Sequence, residues 1–231
     1  KPIKPLPTRK NEDRVPWMDC YIAPCKGGCP IEQDIPEYIE LCKKGLYNEA
    51  LKLITEKNAL PFITGTICAH HCMNKCSRNF YEEPVQIRET KLIAAEKGID
   101  ALMAKIEKPA KVEGKKAAII GGGPTGIAAA FFLGRAGVEC TIFERKDSLG
   151  GIVRHVIPEF RISHEAIDKD IALMMAYGTE VKLNTEAPSV EELKAQGYTH
   201  ILYAVGAWKP GKLDIPGNVK GVIGWMEDMK A

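Results

Sequence analysis

The residues best suited to metal or redox chemistry are six cysteines that fall in two short runs. They are Cys20, Cys25 and Cys29 in CYIAPCKGGCP, and Cys68, Cys72 and Cys76 in CAHHCMNKC. Clustered thiols form disulfides, bind zinc or hold iron–sulfur clusters. The spacings Cys-x4-Cys-x3-Cys-Pro and Cys-x3-Cys-x3-Cys differ from the paired Cys-x2-Cys turns usual for zinc, and a trailing Cys-Pro is typical of ferredoxin-like clusters. The spacing favours iron–sulfur, with zinc or no metal as the alternatives.

A glycine loop later in the chain could bind a dinucleotide. GGGPTG follows the apolar segment KAAII and precedes a helical pattern, with Gly121, Gly123 and Gly126 in the G-x-G-x-x-G positions. Gly121 permits a tight turn, Gly123 lets a pyrophosphate approach the backbone, and Gly126 lets the helix pack close to the strand. Glu144 ends the next strand, at the distance expected for a group that accepts from ribose hydroxyls. Spacing alone does not decide between NAD and FAD.

The elements around the cysteines are predicted to be helices. Residues 1–16 are rich in Pro and Lys, so we expect an extended arm. Within 17–108, the segments IPEYIELCKKG, YNEALKLITEKN and PVQIRETKLIAAEKGIDALMAKIEK have helical periodicity, and the second cysteine run is expected in a loop. Asp34 is the predicted cap of the first helix, and Cys42 shares a face with Ile39, which favours a core role. The sequence predicts a small helical domain that a metal would stabilise.

The pattern changes after the charged linker KPAKVEGKK, so 109–231 is predicted to be a second domain. The segments KAAII, VECTIFER, TEVKLN and THILYAVGA read as strands, and helical patterns lie between them. One of those helices is expected to be capped by Ser163 and another is SVEELKAQG. This alternation indicates a parallel, doubly wound sheet. We expect THILYAVGA to be buried and Cys140, in VECTIFER, to be an inert core thiol.

Composition excludes several classes of function. The 231 residues are 45% hydrophobic and 27% charged, and the net charge of +2 gives no reason to expect nucleic acid or an anionic membrane as a partner. No apolar run reaches the roughly 18 residues of a membrane span, and no signal peptide is visible. Clustered cysteines beside a nucleotide loop favour a reducing compartment over disulfides. The expected location is therefore cytoplasmic.

Several segments resemble, in the same order, the FAD and iron–sulfur modules of the glutamate synthase small-subunit family. That family includes the corresponding part of dihydropyrimidine dehydrogenase and subunits related to selenate reductase. The matching segments are MDCYIAPCKGGCPIEQDIPEYI, LPFITGTICAHHC, PVQIRETK, ERKDSLGGIVRHVIPEFRIS and ILYAVGAWKPGKLDIPG. The resemblance implies an α-helical domain with two [4Fe–4S] clusters, followed by an α/β Rossmann-like FAD-binding domain that carries an inserted NADPH domain.

The resemblance also implies roles for individual residues. It assigns Cys20, Cys25 and Cys76 to one cluster and Cys29, Cys68 and Cys72 to the other. The FAD contacts that it implies are Ile67, Gly121, Gly122, Gly123, Pro124, Thr125, Gly126, Glu144, Arg145, Gly150, Gly151, Ile152, Arg161, Ala187, Ala204, Val205 and Gly206. Among these, Ala187 would lie near the adenine, and Arg161 would be a fixed cation facing pyrophosphate or flavin.

The sequence departs from the family pattern at one ligand position of each cluster. Trp17 stands where a fourth cysteine is expected, and Lys91 where a Gln or Glu is expected. Tryptophan cannot ligate iron, and a protonated lysine has no lone pair to offer. The possible substitutes are Asp19, His70, His71 and Glu89. The two histidines are otherwise interpreted as loop residues near the flavin.

The function that the resemblance implies is electron transfer. An FAD would accept two electrons from NAD(P)H and release them singly to iron–sulfur clusters and a catalytic partner. The stretch ends at GWMEDMKA without a second G-x-G-x-x-G, so we expect a partial chain whose NADPH domain is absent. By itself, this stretch should bind FAD weakly and should not be a competent NADPH oxidoreductase. The alternative is a non-catalytic adaptor that retains the fold but has lost its clusters.

Overall fold

The structure of the chain, a computed structural model, describes residues 22–80 and 82–208. The chain divides between Leu102 and Met103 into two compact units. Cys20, Trp17 and Asp19 therefore lie outside the described residues. Within the described ranges, no helix is both long enough and apolar enough to cross a membrane.

The first unit is helical. Its elements are α1 (Pro24–Gly27), α2 (Ile35–Lys43), α3 (Tyr47–Thr55), α4 (Pro61–Ile67), α5 (His71–Asn74), a 3-10 turn (Ser77–Phe80) and α6 (Ile87–Met103). The three predicted helices are confirmed as α2, α3 and α6. The second cysteine run is not all loop, because Cys72 lies in the single turn of α5. Asp34 precedes α2 as expected, but its carboxylate accepts a hydrogen bond from Lys26 Nζ at 3.1 Å and caps no helical N–H.

The core of the first unit forms where α6 packs beside α2 and α3. Ile35, Tyr38, Ala50, Ile54, Ile87 and Ala94 are buried there together with Cys72. Cys42 packs against this cluster from a half-buried position, as its place on the face of α2 predicts. The cysteine-bearing segments are therefore positioned by an apolar core to which the helices contribute at regular helical spacing.

The approach of α6 to the start of α3 depends on Gly98. A Cβ atom at Gly98 would lie 2.5 Å from the carbonyl oxygen of Tyr47, which belongs to the backbone and cannot move aside easily. Helix propensity alone favours Ala over Gly by about 1 kcal/mol. The steric cost of this short contact should exceed the gain in helix propensity that Ala would bring at this position.

We therefore expect Gly98→Ala to lower the free energy of unfolding by about 1–3 kcal/mol, as overpacking does. The control is Gly27→Ala, because a Cβ at Gly27 would meet no atom within 4 Å. Urea unfolding followed by circular dichroism would measure both variants. A stabilised Gly98→Ala variant would contradict the packing argument.

The second unit is a parallel α/β layer structure. Its elements are β1 (Lys116–Ile120), α7 (Pro124–Arg135), β2 (Glu139–Phe143), α8 (Ile152–His155), α9 (His164–Met175), β3 (Glu180–Lys182), α10 (Val190–Ala195) and β4 (His200–Tyr203). The four strands are all parallel and lie in the order β3-β2-β1-β4. The predicted parallel sheet is confirmed, and the order is that of the first half of a Rossmann fold.

Helices cover both faces of this sheet. Ile119 faces α7, since its Cγ2 would lie 3.3 Å from a Cβ at Gly126. The preceding residue, Ala118, points to the other face and packs with Leu193 of α10. Predicted caps are present too: Ser163 Oγ accepts from the N–H of Ala166 at the start of α9. Burial of the strands from both sides explains their continuous apolar runs.

Two expectations about strand residues meet different outcomes. Cys140 is only 2% exposed, and burial raises the pKa of its thiol to about 11, which agrees with an inert core cysteine. The prediction that THILYAVGA is a buried strand is wrong. Leu202 and Tyr203 are 38% and 61% exposed because β4 lies at the edge of the described sheet.

Candidate cofactor sites

The glycine loop between β1 and α7 brings three backbone segments into close contact. Gly121 has a φ of +106°, a region that favours glycine. A Cβ there would lie 2.5 Å from the carbonyl oxygen of Ala204, just after β4. A Cβ at Gly126 would lie 2.0 Å from the carbonyl oxygen of Gly121. The glycines therefore serve the tight turn and the close helix–strand packing that the motif predicts.

The Glu144 carboxylate fastens the glycine loop to the end of β2. Its Oε2 accepts a hydrogen bond from Gly122 N at 2.6 Å, and its Oε1 accepts one from Lys146 N at 2.9 Å. The residue is only 8% exposed. A carboxylate has about four acceptor positions, so each oxygen can still accept a further hydrogen bond, as from a ribose hydroxyl. Glu144 is thus a structural brace as well as a candidate ligand.

A second glycine pair crosses the first loop. Gly150 N donates to the carbonyl oxygen of Gly122 at 2.8 Å. Gly151 has a φ of +53°, and a Cβ there would lie 2.8 Å from Gly123 Cα. Arg154 stabilises this turn, since its Nε donates a hydrogen bond to the carbonyl oxygen of Leu149 at 2.7 Å. A side chain at Gly151 would push the two loops apart.

These segments enclose a cleft of about 630 Å³ at the carboxyl ends of the strands. The predicted residues that line it are Gly121, Gly123, Pro124, Thr125, Glu144, Arg145, Gly151, Ile152, Ala187, Ala204, Val205 and Gly206. The lining also includes residues that were not predicted, namely Ile120, Phe143, Thr185, Glu186, Ala207 and Trp208. The cleft lies where the strand order reverses, which is the usual ligand position of an open parallel sheet.

The other predicted dinucleotide contacts lie elsewhere. Gly122, Gly126 and Gly150 support the loops from behind rather than lining the cleft. Arg161 is exposed and does not line the cleft either. Ile67 is the last residue of α4 in the first unit, so its approach to a flavin stays a prediction.

Trp208 is a cleft residue that sequence reasoning missed. Lys146 Nζ lies 4.3 Å from the centroid of the Trp208 ring, and Arg145 Cζ lies 5.8 Å from it. Cations at these distances are attracted to an aromatic face. The available signal was an aromatic residue two positions after Gly206, but nothing in its spacing indicates that it faces the end of β2.

The glycine loop yields a pair of contrasting substitutions. We expect Gly126→Ala to lower stability by about 1–3 kcal/mol, because its Cβ would overlap the backbone of Gly121. Gly123→Ala should leave stability nearly unchanged, since its Cβ would meet only Gly151 Cα at 3.8 Å. It should nevertheless weaken dinucleotide binding at least tenfold. Thermal unfolding and separate fluorescence titrations with FAD and NADPH would measure both effects. Equal binding by Gly123→Ala and the unmodified chain would contradict this.

Other cysteines of the two runs influence the pKa values of Cys72 and Cys25. Cys25, Cys29, Cys68, Cys72 and Cys76 all have free thiols, and α1 packs against α5. Burial raises the pKa of Cys72, and Cys29 and Cys68 raise it further. Burial also raises the pKa of Cys25, on which Cys76 acts in the same direction. The division of the cysteines into two ligand sets stays a prediction.

The described cysteines of the two runs supply thiols, which are the ligand type that iron–sulfur clusters take. Among residues 22–80 and 82–208, no three His, Cys, Asp or Glu side chains are grouped so that they could hold one metal ion. Tyr38 is buried in the same core cluster as Cys72, and Cys25 packs against that cluster. Burial raises the pKa of Tyr38, and Cys72, Cys29 and Cys25 raise it further.

Two further residues beside these thiols stand out. His70 has a φ of +45°, its backbone N–H donates to Cys68 Sγ at 3.4 Å, and its Nδ1 is buried without a hydrogen-bond partner among the described residues. Lys91 is 6% exposed. Burial lowers the pKa of Lys91, and the thiols of Cys68, Cys72 and Cys29 oppose that shift.

The two units correspond to two known domain families. Residues 10–101 match the family described as dihydropyrimidine dehydrogenase domain II, 4Fe-4S cluster. Residues 119–167 match the NAD(P)-binding Rossmann-like domain family. The chain is therefore a helical 4Fe-4S domain followed by a Rossmann-like dinucleotide-binding region, the combination of an oxidoreductase module.

Relatives extend this assignment. The Escherichia coli K12 protein YgfK, provisionally named an oxidoreductase, is 42% identical over 92% of the chain and 21% of its own length. The glutamate synthase [NADPH] small chain of Mycobacterium tuberculosis is 35% identical over 91% of the chain and 44% of its own length. The NADPH-Fe(3+) oxidoreductase subunit beta of Geobacter sulfurreducens is 32% identical over 95% of the chain and 33% of its own length. The chain belongs to the family of glutamate synthase small subunits and related oxidoreductase subunits, and it spans less than half the length of these relatives.

Proposed function

We propose that the chain is an electron-transfer module of an FAD- and iron–sulfur-dependent NAD(P)H oxidoreductase. The observation that supports this most is the cleft of the second unit, which gathers most of the residues that the resemblance assigns to FAD. The relatives are named oxidoreductases or their subunits, which agrees with a redox role. Domain limits at 17–108 and 109–231 are part of the same proposal.

The residues of the cleft suit the parts of a dinucleotide. The pyrophosphate would lie over Gly123, where the N-terminus of α7 presents free N–H groups and a positive potential. Glu144 would accept from a ribose hydroxyl with the lone pairs that Gly122 N and Lys146 N leave available. Ala187 would border the adenine. The exposed Arg161 would reach FAD only through a rearranged side chain.

The thiols of the first unit would hold two [4Fe–4S] clusters, one at Cys29, Cys68 and Cys72 and one at Cys25 and Cys76 with Cys20. A flavin and iron–sulfur clusters together accept an electron pair from a donor such as NAD(P)H and pass the electrons on one at a time. This chain would bind and orient these groups and exclude water from them. Cluster binding would remove the thiol protons, and at Cys25 and Cys72 it would oppose burial, which raises the pKa of both thiols. A catalytic partner subunit or domain would receive the electrons.

Glu144→Ala tests the flavin site. A charged hydrogen bond contributes about 1.5–3 kcal/mol, so the variant should bind FAD at least tenfold more weakly. The control is Glu139→Ala, which removes a carboxylate from the other end of β2, where it pairs with Lys111 and Lys116. The protein would be purified anaerobically, and iron, sulfide and flavin would be measured per chain before FAD titration. A chain with neither iron nor flavin would favour the adaptor function instead.

His70 is the proposed substitute for the ligand that the Cys29, Cys68 and Cys72 group lacks. We expect His70→Asn to lose part of the iron and to change the electron paramagnetic resonance spectrum of one cluster, because Asn tolerates the left-handed backbone but removes the imidazole. His71→Asn is the matched control, since His71 is exposed in α5. Iron content and spectra that are identical in the two variants would exclude His70 as a ligand.

A further inference from the structure

Lys91 lies in the apolar interior of the first unit. It is one turn after Ile87 and one turn before Ala94 on the buried face of α6, and it is 6% exposed. Ile87 and Ala94 belong to the same core cluster as Cys72, and Cys29 packs against that cluster. A lysine in this position lies on the face of α6 that packs on the core with Cys72, and it is shielded from solvent.

The helix that precedes Cys68, α4, contacts α6 beside Lys91. A Cβ at Gly65 would lie 3.1 Å from the Cα of Leu92, so α4 contacts α6 at the residue that follows Lys91. Cys68 comes three residues after Gly65, at the end of that helix. Burial lowers the pKa of Lys91, whereas Cys68, Cys72 and Cys29 raise it and Arg88 lowers it.

An ammonium group in such a place needs a negative partner. Removing an ion from water costs several kcal/mol unless an opposite charge compensates for it. Neutral thiols do not provide that charge, whereas thiolates bound to a metal do. A buried ammonium group at Lys91 is thus unfavourable beside three protonated cysteines and favourable beside an anionic metal–thiolate centre.

We propose that Lys91 is the buried counter-ion of the iron–sulfur cluster held by Cys29, Cys68 and Cys72, and that its charge raises the reduction potential of that cluster above what the thiolates alone would give. This inference rests on the proposed function, which supplies the cluster. Lys91 is a positioning and tuning residue here and not a ligand. It fills with a cation the place where the family pattern puts a Gln or Glu.

The effect follows from charge. Reduction adds one electron, from the reduced flavin of the proposed function or from dithionite in a titration, and makes the centre more negative by one unit. Lys91 stabilises the reduced state more than the oxidised state because its positive charge acts through an interior of low dielectric constant. The neutral side chain of Lys91→Met would remove this preference.

The test is a redox titration of the full chain, purified with its clusters and followed by electron paramagnetic resonance. We expect Lys91→Met to shift the midpoint potential of one cluster to a more negative value. The equilibrium constant for reduction should change about tenfold, which corresponds to about 59 mV for one electron. Lys91→Arg keeps the positive charge, so its midpoint potential should stay close to that of the unmodified chain. The control is Lys97→Met, which removes an exposed lysine from the same helix, where it lies over the Tyr47 ring. It should leave both potentials unchanged.

A second measurement separates charge from structure. Without iron, Lys91→Met should unfold at a higher temperature than the unmodified chain, because an uncompensated ion has been removed; with iron, that advantage should shrink or reverse. Iron in the chain but equal potentials in Lys91→Met and Lys97→Met would overturn the counter-ion inference alone. Loss of one cluster from both Lys91→Met and Lys91→Arg would also overturn it, since Lys91 would then be a ligand. A chain that takes up no iron would overturn the proposed function and this inference together.

Discussion

The close approach of backbone segments around Gly121 is the constraint on which the second unit depends. A Cβ at Gly121 would lie 2.5 Å from the carbonyl oxygen of Ala204, after β4, and a Cβ at Gly126 of α7 would lie 2.0 Å from the carbonyl oxygen of Gly121. The Gly150–Gly151 turn approaches the same loop at Gly123. Glu144 joins the end of β2 to the loop by accepting a hydrogen bond from Gly122 N. Residues of these segments line the cleft. A dinucleotide site of this kind is made mainly of backbone, with few side chains to identify it.

The first unit is governed by charge as well as by apolar packing. Cys72 and Cys25 lie in or against a core of Ile, Ala and Tyr side chains, where burial raises the pKa of both thiols. The same interior contains Lys91, for which burial favours the neutral form. Each group is costly alone, and each becomes less costly if the thiols are deprotonated by a metal. An apolar core with complementary latent charges is therefore consistent with a cofactor that is part of the folded state.

The two units together have the organisation of the oxidoreductase subunits to which the chain is related. Under the proposed function, carriers held by these two domains would take up electrons in pairs and release them singly. The fold does not choose the final acceptor, because the same module occurs in relatives named for glutamate synthesis and for ferric reduction.

The sequence by itself determined the helical and α/β parts, the parallel sheet, the glycine loop and the place of Glu144, because periodicity and glycine spacing reflect local geometry. Most of the other residues that line the cleft were implied only by the resemblance to a known family. The division of the six cysteines into two ligand sets was implied only by the resemblance to that family. Tertiary structure alone decided that β4 lies at the edge of the sheet that residues 22–80 and 82–208 form, that Trp208 lies close to Lys146, and that Glu144 already binds two backbone N–H groups. It alone decided that Lys91 is buried beside Cys29, Cys68 and Cys72. A lysine in a helix reads as solvent-facing, and its true surroundings depend on contacts between residues far apart in the chain, which no local pattern records.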